Sequence, residues 1–98
     1  MSEQAPWGSL YSEAAKYLNQ KENAVNLNVV ANPKEHTFRP FFKGTTYSKD
    51  ETLPLRKTLD YVVAANDSYL PQKYNYCKYE HQITFKGRVF WKIYKCTQ

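Results

Sequence analysis

The chain has 98 residues, enough for about one ordinary domain and too few for two cores of normal size, so residues 1–98 are read as a single domain. Apolar residues at 42% and aromatic residues at 16% exclude a disordered, low-hydrophobicity segment, while 23% charged residues and a net charge of +5 favour acidic partners. The longest apolar run, Tyr61 to Ala65, is far shorter than the roughly 20 residues of a membrane span, and no apolar stretch follows a basic start. The expectation is a cytoplasmic protein with no membrane role.

In chain order, Pro6, Trp7 and Gly8 read as an irregular entry. Ser9 then caps a helix to about Lys21, whose apolar residues Leu10, Ala14, Tyr17 and Leu18 recur at helical spacing. Trp7 is expected to fold back on the start of this helix as a hydrophobic anchor. From Ala24 to Ala31, alternation of Val25, Leu27, Val29 and Ala31 with Asn26, Asn28 and Val30 predicts a strand with one mostly polar face. After a turn at Asn32-Pro33-Lys34, a second strand is expected from about His36 to Lys43. Pro40, which lacks an amide donor, would place that strand at a sheet edge. Gly44 to Asp50 reads as a loop. A second helix is expected from about Pro54 to Asn66, with Leu55, Leu59, Val62 and Val63 on one side.

The C-terminal part predicts a hairpin. A two-residue turn at Lys86-Gly87 sets Phe85 opposite Arg88 and, carried back along both strands, Cys77 opposite Cys96. In that register Cys77, Tyr79, His81, Ile83 and Phe85 share a face with Arg88, Phe90, Lys92, Tyr94 and Cys96, and Val89, Trp91 and Ile93 take the reverse. A three-residue loop with Gly87 in a bulge would instead set Cys77 opposite Lys95. An extended run from Lys73 to Phe85 would span about 43 Å, so a bend is expected between Lys78 and Gln82. The overall reading is an α+β fold, a small antiparallel sheet with two helices in the order α-β-β-α-β-β. Which sheet face is exposed stays open.

Charge is concentrated in this C-terminal segment. Residues 1–70 carry eight Lys/Arg against eight Asp/Glu, whereas residues 71–98 carry six against Glu80 alone, among seven aromatic residues. Cations neutralise phosphates and aromatic rings stack on unpaired bases, so nucleic-acid binding is the leading expectation, single strands included. Its candidate residues are Lys73, Lys78, Lys86, Arg88, Lys92 and Lys95 for phosphate, with Tyr74, Tyr76 and Trp91 for stacking. The competing class is an inhibitor or adaptor that docks on an acidic or nucleic-acid-binding surface of a larger protein, since Tyr, Trp and Arg also dominate binding hot spots.

No catalytic signature appears, and the protein is expected not to be an enzyme. Three glycines at positions 8, 44 and 87 cannot build a phosphate-binding loop. Cys77, His81, His36 and Cys96 include the right ligand types for zinc. An extended chain, however, separates residues 77 and 81 by about 13 Å, so neither a metal nor another cofactor is expected. With no export signal, the two cysteines are expected as free thiols.

Overall fold

The computed structural model describes residues 7–32, 34–49, 58–66 and 74–96, without side chains before Leu10. Helix α1 (Trp7–Asn19) runs two residues earlier than expected, with Trp7 and Gly8 helical rather than an irregular entry, and buries Leu10, Tyr11, Ala14, Ala15 and Leu18. Ser9 stands inside the first turn rather than at its cap, and the side chain of Trp7, expected as an anchor, lies outside the described residues.

The first strand is shorter than expected and is not amphipathic. Ala24–Asn26 form a 3-10 turn, and β1 (Asn28–Asn32) buries Val29, Val30 and Ala31 together, because sheet neighbours and packing cover both of its faces. The expected edge strand at residues 36–43 is helical instead. Lys34, with φ 56°, turns the chain into a one-turn helix α2 (Glu35–Phe38), and a 3-10 turn follows at Arg39–Phe41 with Pro40 near its start. Phe38 and Phe42 are buried while Pro40 and Phe41 are exposed. The spacing of four between the two buried rings fits a helical path, and a period of two cannot be told from it by sequence.

The expected loop after Gly44 contains a short edge strand, β2 (Thr45–Tyr47). Gly44 allows the close approach: a Cβ there would lie 2.5 Å from the Leu27 carbonyl oxygen and 2.7 Å from that of Ala24. The described part of the expected second helix is also a strand, β3 (Tyr61–Ala65), with all five residues buried. Two adjacent valines in a wholly apolar five-residue run suit a central strand covered on both faces better than a helix. Residues 50–57, where that helix was expected to begin, lie outside the described residues.

The hairpin is present as β4 (Cys77–Phe85) and β5 (Arg88–Cys96). Lys86 and Gly87 both have positive φ, 52° and 80°, the backbone of a tight two-residue turn whose twist matches that of the strands. The sheet order is β2-β1-β3-β5-β4. Strand β1 is parallel to β2 and β3, whereas β5 runs antiparallel to β3 and β4. The fold is therefore α+β, as expected, but among the described residues its sheet is mixed and five-stranded, with two helices in the order α1-β1-α2-β2-β3-β4-β5. Helices α1 and α2 cover one face through a cluster containing Tyr11, Phe38, Val63, Trp91 and Ile93. The opposite face carries a second cluster around Val30, Tyr47, Val62 and Cys77.

Both ends of the hairpin have the expected register, Phe85 with Arg88 and Cys77 with Cys96. Between them the pairing slips by one, because Glu80 is an extra residue on β4 and Phe90 an extra residue on β5. The bulge at Glu80 falls inside the segment where a bend is expected. The slip corrects the faces of two residues: His81 and Ile83 pair with Ile93 and Trp91 on the helix side, whereas Tyr79 pairs with Tyr94 on the other, as expected. Cys77 and Cys96 are not free thiols but form a disulfide, with Cα atoms 4.0 Å apart. The two bulges cancel, so the cysteines meet as a cross-strand pair, and the argument for free thiols gives way to that geometry.

The bulge also fastens the hairpin to α1. Lys21 Nζ donates to Glu80 Oε2 at 2.7 Å, and the Tyr17 hydroxyl donates to the same oxygen at 2.5 Å. The Tyr17 ring stacks on His81 at 4.1 Å. Burial pushes the Glu80 carboxyl upward, but the hydrogen bonds from Lys21 and Tyr17 outweigh it and hold the group below its ordinary value. A carboxyl lowered in the folded state contributes stability that is complete above its unfolded pKa and is lost as pH falls through the folded one. Glu80→Gln should accordingly cost about 1 kcal/mol at neutral pH, allowing for partial exposure. Denaturant midpoints measured as pH falls below 5 should show the variant and the parent converging.

Candidate nucleic-acid interface

The hairpin is displayed by the way β3 ends. Strand β3 pairs with β5 only between Lys95 and Trp91, and the Asn66 amide donates to the Phe90 carbonyl oxygen just beyond. The tip from Thr84 to Val89 therefore runs past the rest of the sheet, paired only with itself. Strand β4 has β5 as its one strand neighbour among the described residues and forms a sheet edge.

The hairpin carries Lys78, Lys86, Arg88, Lys92 and Lys95, against Glu80 as its one acid. Glu80 is already held by Lys21, and none of the five cations has a carboxylate partner among the described residues. They do not share one face. Lys78 and Lys95 form a cross-strand pair on the helix side, where Lys95 helps to lower the Glu80 pKa. Lys92 is half-buried on the opposite face, paired with Gln82 and with Ala64. Lys86 occupies the turn, its Nζ 5.4 Å from the Phe85 ring, and the Arg88 guanidinium lies 5.4 Å from the Phe90 ring. Positive charge thus runs around the ribbon from its base to its tip.

Two of the three aromatic candidates are unavailable for stacking. Trp91 is 2% exposed and packs face to face on Tyr11 with ring centroids 3.7 Å apart. Tyr74 is buried in the second cluster. Tyr76 is exposed and remains accessible. Lys73 lies outside the described residues. The sequence reading missed Tyr79 and Phe85, both exposed, and strand alternation, which sets Tyr79 on the face away from Lys78, carries no signal of its exposure. Tyr76, Tyr79 and Phe85 are three of the five large apolar or aromatic side chains exposed among the described residues, so exposed ring surface collects on or beside the hairpin that carries the unpaired charge.

Cys77 and Cys96 are joined, which leaves neither thiolate for the zinc site weighed from the sequence. No helix among the described residues is long and apolar enough to cross a membrane. No family model matches the chain, and no curated protein or solved structure is significantly similar to it.

Proposed function

We propose that this is a non-enzymatic binding protein whose β4–β5 hairpin binds nucleic acid, unpaired strands included. The observation that carries the reading is the set of five cations on one projecting hairpin, none of them ion-paired with a carboxylate among the described residues. Keeping such charges unneutralised favours a polyanion, because each phosphate contact releases a condensed counterion. No metal or cofactor is needed for this role.

The test is fluorescence anisotropy with labelled single-stranded and duplex DNA and RNA over a series of salt concentrations. Log affinity should fall linearly with log salt. Lys86→Ala and Arg88→Ala should each reduce the slope by about one while leaving the melting temperature unchanged. Absence of binding at low salt would turn the reading over to the second class, a protein-binding inhibitor or adaptor. That alternative draws on the free β4 edge, where a partner chain could add a strand while an acidic surface meets the lysines.

A further inference from the structure

Among the exposed rings of the hairpin, Tyr79 is the most open, at 54% exposure. Phe85 is more covered, lying edge-on to Phe90 with Lys86 beside its ring. Tyr79 stands on the sheet face away from α1, opposite Tyr94, whose ring meets it edge-on at 6.3 Å. Its hydroxyl donates to Gln82 Oε1 at 2.9 Å. These contacts hold the ring from one side and at its tip. Gln82 in turn pairs across the ribbon with Lys92, which supplies a cation on this same face. An oriented, solvent-facing ring with a cation two residue pairs away combines the two elements that sequence-tolerant binding of single strands uses, a stacking platform and a phosphate contact.

The placement of the other cations points the same way. Lys78 and Lys95 lie on the face opposite Lys92, and the β4 edge separates the two sets. A stiff duplex lying against one face of the ribbon could not follow charges around that edge. A flexible strand can.

We infer that Tyr79 is a base-stacking subsite, with Lys92 as its phosphate contact, and that the hairpin prefers unpaired nucleic acid to duplex. This rests on the hairpin's being the nucleic-acid surface proposed above. The subsite stacks a base of any identity, since every base presents a π-face, and its selectivity is for strands whose bases are free to leave the helix.

The experiment compares a short oligothymidylate with a hairpin-closed duplex of similar charge, by anisotropy at low salt, for the parent protein, Tyr79→Ala and Tyr79→Phe. Thermal melting of each variant checks that the fold is retained. The parent should bind the oligothymidylate more tightly than the duplex. Tyr79→Ala should lose about tenfold on the single strand and little on the duplex, and Tyr79→Phe, which keeps the ring, should restore most of the loss. Single-strand affinity unchanged in Tyr79→Ala, or equal losses on both ligands, would overturn the subsite while leaving the hairpin as a polyanion surface. No binding of either DNA by the parent would overturn the hairpin reading itself, and the subsite with it.

Discussion

Trp91→Ala should cost about 3–5 kcal/mol of folding stability, read as a fall in the urea midpoint, a loss comparable to much of the stability of a domain this size. Trp91 lies between α1 and the sheet, paired with Ala65 on β3 and Ile83 on β4, and its indole stacks on Tyr11 within 4° of parallel. Tyr11 extends the contact to Phe38 at 5.2 Å, and Phe38 to Phe42 at 5.4 Å. Burial raises the Tyr11 phenol well above its usual range, as expected of a ring in this interior. Removing the indole would open a void at the start of an aromatic chain that ties both helices to the sheet. Trp91→Phe keeps a ring against Tyr11 and should recover most of the loss. An alanine variant as stable as the parent but unable to bind nucleic acid would instead return Trp91 to the ligand surface.

The second large effect concerns the disulfide. With a separation of 19 residues, the Cys77–Cys96 bridge closes a loop for which chain entropy predicts about 3 kcal/mol of stabilisation. Cys77→Ala combined with Cys96→Ala should lower the melting temperature by on the order of 15 °C. A thiol reductant should do the same to the parent and nothing further to the double variant. A parent protein whose melting is indifferent to reductant would exclude a stabilising bridge. The loss should be uneven along the hairpin. Lys95 on β5 remains paired with Tyr61, whereas β4 before its bulge has no strand neighbour but β5 among the described residues. From Glu80 onward, Tyr17 and Lys21 also hold β4. Amide hydrogen exchange should therefore accelerate first at Lys78 and Tyr79, in the stretch assigned to ligand binding.

What the sequence discloses depends on whether neighbouring structure overrides local pattern. Helix α1 is legible because its buried residues recur at helical spacing and only one of its sides packs. The turn is legible because Lys86-Gly87 accommodates two positive φ values. Strands β1 and β3 are obscured because both faces are buried. Alternation is then absent, and Leu59, Val62 and Val63 also satisfy a helical period. Phe38 and Phe42 mislead in the opposite direction. At the candidate site the cations are legible as composition, but their distribution over two faces and a tip is not. The bulges at Glu80 and Phe90 reverse the faces between them, and neither carries a glycine or any other local mark. His81 and Ile83 join Ile93 and Trp91 on the helix side through that reversal.

The paired bulges also constrain one another. Straightening the bulge at Glu80 alone, or at Phe90 alone, with every residue kept, would leave one strand a residue out of phase with the other, and Cys77 would no longer meet Cys96 if the turn kept its form. Straightening both, again with every residue kept, would hold phase at the two ends but turn Ile83 and His81 away from the side that holds Trp91 and Ile93. The ribbon therefore behaves like a frame-shifted text with a compensating second shift: its ends read correctly either way, and the meaning of the middle depends on keeping both.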